Sequence, residues 1–314
     1  MSELFIELFS EEIPSKLQKD AREKIKKNFE ETLIKKEIKF NLSKSYSTPK
    51  RLVFLITGIP DKIKYEKKLI KGPKIGAPQV ALDGFIKSNK LVKSDIFKKK
   101  IDKGEFYFAN TKPEEINVLD ELKLIIPNVL QNYAWKKSMK WSDYDLSWGR
   151  PLKSIIALFN KKLIEFNFFH LKSDNFTFID TSKGEKIKKV SNFNTYIATL
   201  KSQNIILDHE ERKKIINKKF NTICASRNLK NNFNENLIEE VVNLVEKPNI
   251  IIGKFNEIYL KIPREILIIT MQQHQKYFPL FDENNKLINS FLMVANLKDI
   301  QGYIKIGNQR VMEA

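Results

Sequence analysis

The chain has 314 residues, of which 42% are hydrophobic and 22 are Phe, so it can bury a sizeable core and is too apolar to be disordered. Its net charge is +18, from 56 Lys and Arg against 38 Asp and Glu, which favours an anionic partner such as RNA. No apolar run approaches the roughly 18 residues that a membrane-spanning helix needs, and Glu3 and Glu7 do not fit a signal peptide. We therefore expect a cytoplasmic protein with no membrane partner.

The first predicted elements are a strand, a helix and a second strand. Residues 4–9 form a short apolar run, and Pro14 is placed to open the helix. Residues 46–59 are rich in β-branched and aromatic side chains, which predicts one strand. The helix should bury a single apolar stripe that repeats every four residues: Leu17, Ala21, Ile25, Phe29 and Leu33.

The segment from residue 60 to residue 137 has weaker patterns. Residues 60–80 contain several Pro, Gly and Lys residues and are typical of a connecting loop. A short helix at 82–88 and a strand at 105–110 should follow. Residues 114–126 are amphipathic, and Pro127 is best placed in the first turn of a further helix that ends near residue 137.

The next predicted elements are a hairpin and two helices. Residues 154–159 and 163–171 flank a short turn, which predicts the hairpin. The helices should cover residues 192–202 and 208–227, and Cys224 in the second has the helical spacing of a small buried residue.

Residues 237–281 predict a helix, a strand, a helix and a strand in succession. Pro248 ends the first helix, and residues 249–255 form a β-rich run. Pro263 precedes the second helix, and KYFPLF is the second extended run.

Helices and short strands without strict alternation predict an α+β fold of mixed short-stranded sheets with packed helices. A change of character near residue 190 suggests two lobes. The first would be an N-terminal α+β lobe with a basic surface at residues 1–190, and the second would be an α+β lobe at residues 191–314.

Several motifs give the chain a resemblance to a known family. IPRE followed by MQQHQKYFP resembles a recurring signature of the β subunit of the bacterial tetrameric glycyl-tRNA synthetase. Further motifs follow in family order: FSEEIPSKLQ at 9–18, STPKRL at 47–52, GRPLKSIIAL at 149–158, FLMVANLKD at 291–299 and IGNQRVMEA at 306–314.

The chain differs from the family at one segment, and the family extends beyond the last motif. TFIDTSKG at 177–184 replaces a Gly-His-Arg-Phe run of the family, so any role of that loop does not carry over. The family continues beyond the last motif, so the chain resembles an N-terminal part that stops before further C-terminal domains.

The resemblance implies a subunit of an ATP-dependent glycine–tRNA ligase. In this family the aminoacylation site, which uses ATP with Mg, belongs to the separate α subunit. The β subunit supplies tRNA(Gly) recognition and assembly in an α2β2 heterotetramer, and its N-terminal region is similar to B3/B4 synthetase modules. We therefore expect no cofactor and no catalytic residue on this chain.

The segment 272–276 is one candidate contact surface for tRNA or a partner subunit. Its five polar side chains, at a helix-to-strand junction, could hydrogen-bond bases or a ribose, with Tyr277 or Phe278 available to stack. The alternative is that they cap the helix end. We expect Ile266 and Ile269 to face the core. The candidates are Gln272, Gln273, His274, Gln275 and Lys276.

Lys50 and Arg51 are the other candidates, since they could bind phosphate or simply flank a strand. Residues 1–100 hold 24 basic and 13 acidic side chains, although Lys is also abundant through the codon bias of AT-rich genomes. His170, His209 and His274 have no second ligand at metal-binding spacing, so we expect no metal site.

Two alternatives stay open. One is a stand-alone basic RNA-binding module without ligase activity. The other is a B3/B4-like editing hydrolase, which would need an acid–base pair or a water-positioning polar cluster in one pocket. Editing is less needed for glycine, because a site can exclude every larger amino acid by its bulk.

Overall fold

The computed structural model describes residues 2–65, 69–89, 91–101, 104–111, 113–181, 184–230 and 233–314. The chain divides into two compact units, one made of Met1–Ile59 with Lys123–Ala314 and the other of Pro60–Leu122. The predicted lobe boundary near residue 190 lies inside the first unit and stays a prediction.

The α+β class predicted from the sequence is confirmed, because helices and short, mostly antiparallel strands follow one another without regular alternation. The strands are β1 (Glu3–Ser10), β2 (Leu42–Thr48), β3 (Arg51–Thr57), β4 (Lys62–Tyr65), β5 (Leu69–Lys74), β6 (Ile96–Ile101), β7 (Gly104–Asn110), β8 (Glu114–Asn117), β9 (Leu152–Phe159), β10 (Lys162–Leu163), β11 (Asn167–Phe168), β12 (Leu171–Asp174), β13 (Phe176–Thr181), β14 (Gly184–Lys189), β15 (Asn249–Lys254), β16 (Phe278–Phe281) and β17 (Leu287–Ala295). The α-helices are α1 (Ser15–Lys35), α2 (Gln79–Ser88), α3 (Val118–Gln131), α4 (Phe193–Ser202), α5 (His209–Ser226), α6 (Glu235–Val242), α7 (Arg264–Ile269) and α8 (Tyr303–Glu313).

The main sheet of the first unit has the strand order β11-β12-β9-β1-β3-β2, with β10 paired to β9. β1 lies at its centre and is buried along almost its whole length. Helix α1 contacts β2 and β3, and the five residues of its predicted apolar stripe are all buried. Removal of this apolar surface from water supplies much of the stability of the unit.

Residues 46–59 form a hairpin rather than one strand, so that prediction was wrong. β2 and β3 pair antiparallel with Thr48 opposite Arg51, and only Pro49 and Lys50 lie between them. Both strands have the same β-rich composition, so a turn of two residues does not interrupt the composition enough to be seen in the sequence.

Two other sequence predictions were also wrong. Residues 60–80 contain β4 and β5 rather than only a loop. The amphipathic segment begins as β8 and continues as a single helix α3, with Pro127 inside it. Proline removes one helical hydrogen bond. Buried apolar side chains on both sides of it, Ile125, Ile126, Val129 and Leu130, offset that loss.

The hairpin predicted at 154–171 is correct only in its first turn. β10 pairs antiparallel with β9 over two residues. The chain then leaves the sheet edge and returns as β12, which pairs parallel to β9.

Residues 192–281 follow the predicted order of helices and strands. Asn192 and Asp208 are the N-caps of α4 and α5, and Cys224 is buried as expected. β15, β17 and β16 form a three-stranded antiparallel sheet in that order, and α5 and α6 pack on one of its faces. No helix among the described residues is both long enough and apolar enough to cross a membrane.

Candidate nucleic-acid interface

The second unit contains a three-stranded antiparallel sheet with the order β5-β7-β6. Residues directly opposite each other in such a sheet share a face, and alternate residues along a strand do too. Lys71 and Phe97 both lie opposite Phe108, and Lys74 and Lys99 both lie opposite Phe106. One face, which we call the Lys–Phe face, therefore carries Lys71, Lys74, Phe97, Lys99, Phe106 and Phe108.

Helix α2 lies on the opposite face. Gly72 follows Lys71 in β5 and so points away from the Lys–Phe face. A Cβ atom on Gly72 would lie 2.8 Å from the ring of Phe85 in α2, closer than such atoms can approach. The glycine therefore allows α2 to pack closely against this side of the strand, and the Lys–Phe face is the one without the helix.

Lysine and aromatic side chains contact each other on the Lys–Phe face. The Nζ atom of Lys71 lies 3.5 Å from the ring centroid of Phe106, and that of Lys99 lies 5.8 Å from the centroid of Phe108. Phe97 stacks on Phe108 at 6.4 Å between centroids and is 41% exposed. Cation–π contacts of this kind contribute about 0.5–1 kcal/mol at exposed sites and fix the ammonium groups over the rings.

The charge on this face is not neutralised within the described part of the chain. Lys71, Lys74 and Lys99 form no ion pair with any described carboxylate. Residues 60–122 contain 14 lysines and 10 acidic residues. A face with ammonium groups for phosphates and an exposed ring for stacking has the chemistry that single-stranded or looped RNA binds. The sequence analysis did not predict this face, although alternate residues in IFKKKI and EFYF include the Lys and Phe side chains that share it.

Lys50 lies in the β2–β3 turn, where its Nζ is 2.6 Å from Oδ2 of Asp180. It is therefore paired with a carboxylate within the chain. Because Asp180 is 39% exposed and Lys50 is 19% exposed, the pair is accessible to solvent and contributes little to stability.

Arg51 flanks a strand, as one of the two alternatives has it, and its side chain is buried. Its Nε lies 3.1 Å from Oε1 of Glu7, and its Nη1 lies 2.6 Å from Oε2 of Glu246. Its Nη2 donates to the carbonyl of Phe178 in β13, and its Cζ lies 4.9 Å from the centroid of Phe9. The guanidinium is thus held by partners within the chain, and any contact between Arg51 and tRNA stays a prediction.

Two buried carboxylates share this one guanidinium. Burial has the largest single effect on the pKa of Arg51 and lowers it, because burial disfavours the charged form. Glu246, Tyr196 and Glu7 together outweigh burial, so the pKa of Arg51 is raised. Burial raises the pKa of Glu7, against the lowering by Arg51 and by the hydroxyls of Tyr196 and Thr177. Both hydroxyls donate to Oε1 of Glu7, at 2.7 and 2.9 Å. Burial also raises the pKa of Tyr196, so Tyr196 remains a donor.

Residues of the segment 177–184, which departs from the recurring motif pattern, contact the buried Arg51–Glu7 pair and also Lys50. Its first residues belong to β13, which pairs with β14. Thr177 and Phe178 bind Glu7 and Arg51, and Asp180 binds Lys50. Its described residues therefore have a structural role that sequence reasoning missed.

A single turn of π-helix, Thr270–Gln275, follows α7 directly, and we call it the π-turn. Gln273 and His274 are exposed, whereas Gln272, Gln275 and Lys276 are half-buried. Lys276 ends the turn with a left-handed φ of 59°, and its Nζ donates to the carbonyl of Gln273 at 2.9 Å. The same ammonium lies 3.1 Å from Glu240. π-Turns are rare and are frequent at functional sites.

The glutamines do not close this helix end. Within the described residues, the side chains of Gln272, Gln273 and Gln275 have no hydrogen-bond partner, and Lys276 binds the exposed carbonyl instead. Their amide groups are therefore available to another molecule, and the predicted contacts of this segment stay predictions. Tyr277 and Phe278 are buried, so neither presents a free ring for stacking.

The helix α7 turns a different face to the core from the one we predicted. Leu267 and Met271 are buried, whereas Ile266 is 55% exposed and Ile269 is 48% exposed. The prediction that Ile266 and Ile269 face the core was therefore wrong. All four residues are apolar, and the short helix followed by a π-turn shifts the spacing that a regular helix would have.

Comparison with known proteins identifies the family. The sequence profile described as "Glycyl-tRNA synthetase beta subunit" matches residues 4–314. The chain belongs to this family. The resemblance found in the sequence motifs is therefore confirmed.

Three curated relatives are described as the beta subunit of glycine–tRNA ligase. The protein of Rickettsia felis is 35% identical over 317 residues, which cover 100% of this chain and 48% of the relative. That of Rickettsia peacockii is 35% identical and that of Rickettsia prowazekii is 34% identical, both over 315 residues that cover 100% of this chain and 47% of the relative. The chain spans about half the length of the curated relatives it matches.

A cleft of about 1410 Å³ lies between α4, α5 and the end of β17. Three of its carboxylates are engaged elsewhere. Glu246 binds Arg51, Asp180 binds Lys50, and Asp208 accepts a hydrogen bond from the backbone N–H of Glu210. The fourth carboxylate, Glu211, has no hydrogen-bond or ion-pair partner among the described residues, and the hydrolase alternative stays a prediction.

The histidines have separate surroundings. His170 stacks on Tyr144 with 3.7 Å between centroids, and His209 begins α5. Burial, aided by Arg22 and Arg212, lowers the pKa of His209 to about 4. In the described part of the chain, no group of three or more His, Cys, Asp or Glu side chains could hold a metal ion.

Proposed function

We propose that this chain is the N-terminal region of a glycine–tRNA ligase β subunit and that it contributes tRNA binding to the assembled enzyme. The proposal rests on the Lys–Phe face, found in a chain that belongs to the glycyl-tRNA synthetase β-subunit family. Three lysines with no described carboxylate partner and one exposed phenylalanine fit an RNA backbone with an unstacked base. The net charge of +18 would add a long-range attraction for tRNA.

The chemistry of ligation belongs to a partner in this proposal. A separate α subunit would bind ATP with Mg and glycine, and this chain would supply tRNA contacts and a surface for assembly into an α2β2 heterotetramer in the cytoplasm. One observation supports a contact with another subunit or with tRNA. The glutamine amides of the π-turn have no hydrogen-bond partner among the described residues.

ATP–pyrophosphate exchange and tRNA glycylation test this division of labour. The chain alone should show no glycine-dependent exchange and should still bind a glycine-accepting tRNA transcript in a salt-dependent manner. Glycylation should require the α subunit and the rest of the β subunit. Glycine-dependent exchange by this chain alone would contradict the proposal.

A stand-alone RNA-binding module is the second candidate, because the same Lys–Phe face would serve it. The two differ in their dependence on a partner. A module that acts alone should bind tRNA in the same way with or without an α subunit, and its loss should leave glycylation unchanged.

A further inference from the structure

An uncovered strand edge lies in the first unit. β15 pairs only with β17 in its sheet, so its other edge has no strand partner among the described residues. A groove of about 1110 Å³ contacts Asn249, Ile250, Ile251 and Ile252 in succession. Successive residues point to opposite faces of a sheet, so a groove that touches all four runs along the edge.

The two faces of β15 are already covered, which leaves the edge as the open side. Ile250 and Ile252 pack on the core that α5 and α6 form. Ile251 packs on the other face, on a core that includes Met271 and Met312. The walls of the groove come from α5 and from residues 298–305. An edge strand in a slot of this kind exposes backbone N–H and C=O groups that can pair with an added strand.

The walls are apolar at several positions and positively charged. Ile215, Ile223 and Ile300 line the groove, and Ile300 is 89% exposed. Lys218, Lys298 and Lys305 line it too, and none of their ammonium groups has an ion-pair or hydrogen-bond partner among the described residues.

A carboxylate that also lines the groove is engaged elsewhere. Oδ1 and Oδ2 of Asp299 accept hydrogen bonds from the backbone N–H groups of Ile304 and Lys305, at 3.0 and 2.9 Å. Asp299 therefore holds the first turn of α8 and does not neutralise the three lysines.

We propose that this groove binds an extended, acidic segment of a partner protein, which adds as a strand to the free edge of β15. The six residues of β15 span about 20 Å at about 3.3 Å per residue, so the segment would pair over five or six residues. Its apolar side chains would contact the isoleucines, and its carboxylates would pair with Lys218, Lys298 and Lys305. A second copy of this chain fits less well, because its own lysines would face these three.

The test uses a fluorescein-labelled peptide with the sequence Asp-Val-Glu-Ile-Val-Glu-Val-Asp and fluorescence anisotropy. We expect saturable binding to the full chain with a Kd on the order of micromolar. The variant Lys218→Glu/Lys298→Glu/Lys305→Glu should weaken binding about tenfold or more. A matched control with the same charge change at exposed positions elsewhere, Lys16→Glu/Lys186→Glu/Lys188→Glu, should stay within about twofold.

A second peptide separates strand pairing from charge attraction. The same sequence with N-methylated internal amides keeps every side chain but cannot donate its backbone hydrogen bonds, and we expect it not to bind. Equal binding of both peptides, equal weakening in both triple variants, or no binding of the first peptide would overturn the proposal. So would an oligouridylate that binds through these three lysines when the acidic peptide does not. Circular dichroism of each variant establishes that it is folded.

Discussion

The Nη1 atom of Arg51 lies 2.6 Å from Oε2 of Glu246, and both side chains are buried. This contact joins the start of β3 to the segment after α6, across 195 positions of sequence. Glu7 in the central strand binds the same guanidinium. The β2–β3 hairpin, the main sheet and the last third of the chain are thereby connected through one buried cation.

Arg51→Met should destabilise the fold strongly, because it leaves two buried carboxylates without their cation. Loss of one partner of a buried ion pair costs about 3–5 kcal/mol, measurable by urea unfolding. The control Lys50→Met breaks a solvent-accessible pair and should cost less than about 1 kcal/mol. Similar losses in the two variants would contradict a central role of Arg51.

His209 should make the fold less stable in mild acid. Burial, with Arg22 and Arg212 nearby, lowers its pKa from 6.5 to about 4. The unfolded chain therefore binds more protons between these two pH values, and stability is lost as the pH falls from 6.5 to 4. The difference in unfolding free energy between wild type and His209→Gln should shrink over this range.

A matched histidine variant controls for the other titrating groups. His274 is exposed in the π-turn. The same measurement on His274→Gln shows how much of the change comes from replacing a histidine at an exposed position. A difference between wild type and His209→Gln that stays constant from pH 6.5 to pH 4 would contradict the assignment of this pH dependence to His209.

The register of α7 can be tested with two truncations. Met271 is fully buried and Ile266 is 55% exposed. Met271→Ala should lower the unfolding free energy by about 2–5 kcal/mol, whereas Ile266→Ala should stay within about 0.5 kcal/mol. Thermal unfolding followed by circular dichroism would show the difference, and the reverse order would mean that the helix faces the other way.

The π-turn glutamines should matter for activity rather than for folding. Because the amides of Gln272 and Gln275 have no described partner, the variant Gln272→Ala/Gln275→Ala should keep its melting temperature. In our proposal it should reduce glycylation by the assembled enzyme. A large fall in melting temperature with normal specific activity would show instead that the segment stabilises the fold.

Local patterns in the sequence predicted most of the regular elements but not the pairing between distant ones. The stripe of α1 and the positions of α4 and α5 are local signals, and each is confirmed. The Pro49–Lys50 turn and the single helix through Pro127 were missed, because tertiary packing overrides weak local preferences there.

The candidate site was harder to predict for the same reason. Arg51 looks like a surface residue in STPKRL, since nothing nearby in sequence reveals Glu246. The Lys–Phe face could be predicted only if the register of β5, β7 and β6 were known. The family was recognised from the sequence motifs because they are long and occur in order over the whole chain.

The measurement that tests the central claim most directly is tRNA binding by a variant of the Lys–Phe face. Lys71→Gln/Lys74→Gln/Lys99→Gln should weaken the affinity for a glycine-accepting tRNA transcript, with the fold retained. The slope of log K against log salt should become less steep by about two to three, because each lysine that no longer neutralises a phosphate removes about 0.7–0.9. The matched control Lys16→Gln/Lys186→Gln/Lys188→Gln should change both quantities much less. Equal affinity and an equal slope for the folded Lys–Phe variant and the control would contradict the account.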